Sequence, residues 1–222
     1  MPQASTAYGL AAQINAALPQ TQCTRCGYPD CAAYAHAIAE GCAPINQCPP
    51  GGAEGIARLA AITGQPGLPL NPDFGIEAVR TVAVIDEAWC IGCTLCIAAC
   101  PTDAIFGSNK RMHSVITAHC TGCELCLPVC PVDCIQMVNA SGSRTGWSAW
   151  SPADAEHARL RYASHSNRLS QDLRQSPDKH QEKISNEPVA VTQTSAAIDP
   201  KKATIAAALA RARALRATTP PD

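Results

Sequence analysis

Eight cysteines stand in two copies of one spacing, C-x2-C-x2-C-x3-C-P: Cys90, Cys93, Cys96 and Cys100 before Pro101, and Cys120, Cys123, Cys126 and Cys130 before Pro131. Thiolates are soft ligands for iron. Three on one tight loop reach three irons of a 4Fe-4S cubane, and the fourth, at the Cys-Pro step, points to a second cluster. The predicted ligand sets are therefore crossed. Cys90, Cys93, Cys96 and Cys130 serve one cluster, and Cys120, Cys123, Cys126 and Cys100 serve the other. Zinc also uses C-x2-C pairs, but it does not account for two tandem copies that each close on Cys-Pro.

A third set, Cys23, Cys26, Cys31 and Cys48, has the spacing C-x2-C-x4-C-x16-C. On spacing alone it suits either a cubane or a tetrahedral zinc. Two cysteines are left over. Cys134 aligns with Ala104 in the repeat, so a small buried residue suffices there, and Cys42 follows a helix end at Gly41 and reads as packing or a redox-sensitive bystander. Because each cubane already has four thiolates, His113 and His119 are read as polar surface residues. Tyr28 and Trp89, beside ligands, and Leu95, Leu125, Ile97 and Leu127 are read as shields against water. Gly92 and Gly122 let backbone N–H groups approach the sulfurs. No activated nucleophile, acid–base pair or open metal position stands out, so the chain reads as an electron carrier and not as an enzyme in itself.

The elements that must hold these thiols are short. Residues 90–105 align without gaps on residues 120–135, with nine of sixteen positions identical, which predicts a duplicated site with pseudo-two-fold symmetry. Val82, Val84 and Ile85 suit a strand, with a matching candidate at Val115–Ala118. Upstream, Leu10, Ile14 and Leu18 predict a helix from Ser5 to Leu18, and a second helix is predicted from Asp30 to Glu40. The breaker-rich run from Gly64 to Phe74 reads as a linker. Ser151-Pro152 is a helix start, with the helix carried to about Leu173. Residues 175–200 read as disordered and Lys201–Ala217 as a basic helix. The predicted class is α+β: a four-cysteine module at 5–63, a linker at 64–80, a duplicated two-cluster domain at 81–140 and a basic, partly helical or disordered tail at 141–222.

Composition narrows the setting. Fourteen cysteines accompany only two Phe, three Trp and four Tyr, so metals or disulfides must supplement a thin apolar core. The start of the chain lacks the basic and apolar regions of a signal peptide, which predicts a cytoplasmic protein whose clustered cysteines bind metal. No run approaches the roughly 20 apolar residues that span a bilayer. Residues 1–140 hold ten acidic against five basic residues, whereas 141–222 hold eight against twelve. An acidic redox head with a basic tail steers encounters with protein partners, or with the surface of a membrane, and no nucleic-acid binding is expected.

The stretches Leu18-Pro-Gln-Thr-Gln-Cys-Thr-Arg-Cys-Gly-Tyr-Pro-Asp-Cys and Ile45-Asn-Gln-Cys-Pro-Pro-Gly-Gly resemble the four-cysteine 4Fe-4S domain of the B subunit of the Rnf electron transport complex. Gly107-Ser-Asn-Lys-Arg-Met-His-Ser-Val-Ile between the motifs and Cys-Pro-Val-Asp-Cys-Ile at 130–135 extend the likeness over about Ala7–Met137. The resemblance implies that Cys23, Cys26, Cys31 and Cys48 hold a third 4Fe-4S cluster. It also implies single-electron relay, with other Rnf-type subunits as partners. Such B subunits typically begin with a membrane-spanning helix, which is not seen here. The expectation is thus a soluble relative, cytoplasmic or peripheral on the cytoplasmic face of the inner membrane. The rival readings are a free ferredoxin serving an unrelated reductase and the electron-transfer subunit of a larger oxidoreductase.

Overall fold

A computed structural model describes residues 3–175. The predicted disordered segment at 175–200 and basic helix at 201–217 lie outside the described residues, apart from Gln175. Three helices frame the first part. Helix α1 spans Gln3–Ala17, α2 spans Cys31–Ala39 and α3 spans Gly52–Thr63. The start of α2 is fixed by Asp30, whose carboxylate accepts the Ala33 N–H at 2.7 Å, an N-cap contact worth about 1 kcal/mol. The helix stops where Gly41 takes φ +74°. Helix α3 is an addition to the predicted elements: it follows the Pro-Pro-Gly-Gly run directly and buries Ile56 and Leu59. These join Ile14, Tyr34, Ile38 and Ile45 in one apolar core.

The second part is built on two small antiparallel pairs. Strand β1, Thr81–Ile85, pairs with β4, Ile135–Asn139, with Ile85 opposite Ile135. Strand β2, Ile105–Phe106, pairs with β3, Ser114–Val115, with Ile105 opposite Val115. The predicted partnership of the Val82 strand with Val115–Ala118 is therefore not the one formed. Residues 114–115 belong to the other pair, and 117–119 form a 3-10 turn. The five-residue helix α4 spans Leu95–Ala99.

An offset of 30 residues relates the two pairs, and the backbone repeats with it. Gly92 and Gly122 have φ +68° and +69°, Thr94 and Glu124 both +65°, and Asp103 and Asp133 both +50°. A Cβ on Gly92 would lie 2.4 Å from the Arg111 nitrogen, and one on Gly122 2.3 Å from the Thr81 oxygen. Only glycine admits both the conformation and the approach.

Beyond residue 140, where the sequence predicts a tail, the chain packs back on both parts. Trp147 is buried, its indole N–H donates to the Ala17 oxygen at 2.9 Å, and Arg58 stacks on its ring. Helix α5, Pro152–Gln175, begins at Ser151, whose hydroxyl accepts the Asp154 N–H. It spans the two parts. Tyr162 donates to Asp30, Arg161 donates to the carbonyls of Thr102 and Asp103, and His165 and Arg168 both reach the Asp103 carboxylate. No helix among the described residues is long and apolar enough to cross a membrane.

Candidate metal-cluster sites

Each of three small cavities is lined by four of the twelve predicted ligands. Cys23, Cys26, Cys31 and Cys48 line one. Cys90, Cys93, Cys96 and Cys130 line a second, the first ferredoxin site. Cys100, Cys120, Cys123 and Cys126 line a third, the second ferredoxin site. In both ferredoxin sites the Cys-Pro cysteine faces the opposite motif's cavity. The loops, too short to wrap a cavity alone, meet across the pseudo-two-fold.

The donor chemistry fits a multi-atom cationic core. Among the described residues no three Cys, His, Asp or Glu side chains converge tightly enough for one metal ion. The thiols instead ring cavities of similar size. Burial pushes Cys96 and Cys123 up to about 11 and Cys126 up to about 12, and neighbouring cysteines add to the rise. Burial raises Cys26, Cys31 and Cys48 as well. Sulfurs that repel one another in an apolar pocket become thiolates together only around positive charge.

Backbone donors complete the ferredoxin sites, again in pairs. The N–H of His113 donates to Cys90 Sγ at 3.3 Å, and that of Ala83 to Cys120 Sγ at 3.4 Å. The N–H of Ala104 donates to Cys100 Sγ at 3.2 Å, and that of Cys134 to Cys130 Sγ at 3.4 Å. Such bonds to ligand sulfur orient ligands and set cluster potentials.

The N-terminal site is shaped differently. Gln20, Gln22 and Thr24, none of them glycine, take φ of 57°, 53° and 58°, a conformation costing about 1–3 kcal/mol each. The turn is held by side chains: the Gln22 carbonyl accepts the Cys31 N–H at 3.0 Å, and the Gln20 amide donates to Asn15. Tyr34 donates to the Pro44 oxygen and accepts the Gln47 N–H, fixing the segment before Cys48. Nothing in residue type marks these glutamines as site builders.

Other expectations divide. Cys42 is exposed and lines none of the three cavities, while Cys134 is buried, lines the first ferredoxin site and has its sulfur 3.6 Å from Cys130 Sγ. His113 is not a surface residue: it is 1% exposed, with Nδ1 3.3 Å from Cys96 Sγ. Leu95 is not a shield, being 49% exposed. Ile97, Leu127 and Trp89 do pack on the ferredoxin core, and Tyr28 lies tilted against Tyr34.

The N-terminal module abuts the second ferredoxin site. Thr121 donates to the Thr21 oxygen at 2.9 Å, and Arg25 meets Glu124 at 2.6 Å. The three cavities thus run in the order N-terminal, second, first.

Duplicated cysteine motifs on paired short strands, with a third cysteine quartet before them, define an iron–sulfur protein. Two families agree, one described as "4Fe-4S dicluster domain" over residues 83–137 and one as "Putative Fe-S cluster" over residues 18–50. The chain belongs to the family of B subunits of ion-translocating oxidoreductase complexes. It is 56% identical to that subunit from Alkalilimnicola ehrlichii over 62% of this chain and 75% of the relative. It is also 59% identical to the one from Azoarcus sp. over 47% of this chain, and 57% identical to the one from Thiobacillus denitrificans over 48%. Of those two relatives it spans 57% of the length. No solved structure matches.

Proposed function

We propose that this chain relays single electrons through three 4Fe-4S clusters, as the electron-transfer subunit of an ion-translocating oxidoreductase complex. The grouping of twelve cysteines into three separate quartets, each around its own cavity, carries this reading. Cys23, Cys26, Cys31 and Cys48 hold the N-terminal cluster. Cys90, Cys93, Cys96 and Cys130 hold one ferredoxin cluster, and Cys120, Cys123, Cys126 and Cys100 the other. Each cluster, when bound, takes up and returns one electron without breaking bonds. The protein's part is to keep water away, to donate backbone hydrogen bonds to the sulfurs and to hold the sites in line. Bond-making chemistry and ion movement belong to partner subunits. The chain docks on them through its acidic, cluster-bearing head, at the cytoplasmic face of the inner membrane, with module limits near 5–63 and 81–140.

The test is an anaerobic count of iron, sulfide and zinc per chain, with binding to the other subunits of such a complex measured on the same preparation. The expected result is about twelve irons, four per cubane, no zinc and specific binding. About eight irons with one zinc turns the N-terminal quartet into a structural site, and twelve irons without binding favours a free ferredoxin.

A further inference from the structure

The 30-residue offset that relates the ferredoxin sites makes their differences as informative as their likeness. Ala83 and His113 are equivalent, as are Ala104 and Cys134, and all four backbone N–H groups donate to ligand sulfur in the same manner. Their side chains differ. At the second ferredoxin site both are methyl groups lining the cavity. At the first, His113 brings Nδ1 within 3.3 Å of Cys96 Sγ, and Cys134 brings its thiol within 3.6 Å of Cys130 Sγ.

We propose that His113 and Cys134 tune the first ferredoxin site to be the better electron acceptor of the pair, by placing two side-chain hydrogen-bond donors on its ligand sulfurs. The proposal rests on the cysteine quartets being 4Fe-4S ligands. A donor withdraws density from a thiolate and favours the more negative, reduced state, so each added bond raises the potential. Next to a thiolate, a neutral thiol can act only as donor. For His113, Nε2 is buried without a partner among the described residues, so the hydrogen makes a bond only when it sits on Nδ1, facing Cys96.

The histidine is built in rather than squeezed in. Across the strands Ala83 stands opposite Met137, which lines the second cavity. The residue equivalent to Met137 is Gly107, and a Cβ there would lie 2.3 Å from the His113 ring. One half pairs a small residue with methionine and the other pairs histidine with glycine, exchanging apolar volume for a donor.

Polar groups beside the second site do not cancel the difference. Thr102 Oγ is 3.9 Å from Cys100 Sγ, but its hydrogen goes to the His119 oxygen at 2.9 Å. Thr121, whose hydroxyl also lies within reach of Cys123, gives its hydrogen to the Thr21 oxygen at 2.9 Å. Of the nearby cations, Arg25 pairs with Glu124, Arg80 donates to the Cys120 carbonyl while lying 3.5 Å from the Asp154 carboxylate, and Arg161 donates to the Asp103 carbonyl; none of these bonds is to a ligand sulfur.

The step is the transfer of one electron. The second site is oxidised by one electron, the first is reduced by one, and both hydrogens stay on His113 and Cys134. Because the second site lies between the N-terminal module and the first, electrons entering from that module collect at the far end.

Potentiometric titration of the full, cluster-loaded chain, followed by electron paramagnetic resonance, tests this. Cys134→Ala and His113→Ala copy residues that the other half already accommodates, and His113→Leu keeps apolar volume without a donor. Each is expected to shift one and the same wave to lower potential and leave the other waves in place. His113→Asn, whose amide N–H can stand where Nδ1–H does, is expected to restore the position. Waves that stay put, shift upward, or differ between the His113 and Cys134 variants overturn the proposal. Failure of the cluster reading itself is told apart beforehand by the iron count of the unaltered chain.

Discussion

The N-terminal module and the ferredoxin domain enclose cavities of similar size by opposite means. In the first, all four cysteines come from one stretch, 23–48, backed by a core of Ile14, Tyr34, Ile38, Ile45, Ile56 and Leu59 that closes largely without them. In the second, Cys96, Cys100, Cys120, Cys126 and Cys130 are themselves among the buried core residues, beside only a few aliphatic side chains such as Val82, Ile85, Ile105 and Ile135. Each ferredoxin cavity also borrows a cysteine from the other half. The contrast separates a scaffold that presents ligands from one that the ligands help to build.

Metal removal should widen that contrast most. Stripping the clusters with chelator under reducing conditions is expected to abolish amide-exchange protection of β1 and β4, while α2 and α3 retain much of theirs. Metal-binding energy is folding energy where thiols replace the core, and helices packed on apolar side chains do not depend on it. Equal loss of protection in both parts would break the comparison.

The crossed arrangement gives the next largest effect. Cys130→Ala should cost about four irons and expose the thiols of Cys90, Cys93 and Cys96 to alkylation, although the substitution lies in the second motif. Cys26→Ala should cost as many irons yet expose only Cys23, Cys31 and Cys48. Mapping labelled peptides by mass spectrometry decides. Labelling of Cys120, Cys123 and Cys126 in the Cys130 variant would mean that each motif serves its own site.

How much of this was legible follows from where the signal resides. Cysteine spacing and the 16-residue repeat are local, so the duplication was readable. Helix α2 was readable too, because Asp30 and Gly41 punctuate it. Helix α3 was missed because it starts on Gly-Gly after Pro-Pro, all breakers, and only tertiary burial of Ile56 and Leu59 sustains it. Strand β4 was missed because its partner lies some fifty residues upstream and, of its five side chains, only Ile135 is buried. His113 sits in a polar run, Lys-Arg-Met-His-Ser, and looks like surface. Its signal was present but faint: extending the repeat upstream of both motifs pairs it with apolar Ala83.

The smallest effect concerns the helix that bridges the two regions. Burial alone would raise the Asp103 carboxyl, but hydrogen bonds from Arg168 and His165 outweigh it and hold the group below its usual range. A carboxyl depressed in the folded state stabilises it above the unfolded value of about 3.9, and that contribution is lost as pH falls through the lower, folded value. Acidification through this window should therefore loosen α5 from the ferredoxin domain. Asp103→Asn should loosen it similarly at neutral pH, since asparagine keeps the left-handed backbone at φ +50° and removes only the charge. Arg168 is more than half exposed, and solvent screening of the pair keeps the cost under about 1 kcal/mol. The expected readout is faster amide exchange over residues 158–168 in the variant, with α2 and β1 unchanged. The N-terminal end of α5 should move least, because Ser151 and Asp154 cap it independently of Asp103. Uniform loosening from 152 onward would instead mean that the Asp103 contacts hold the whole bridge, and that the two regions depend on one carboxylate for their joint.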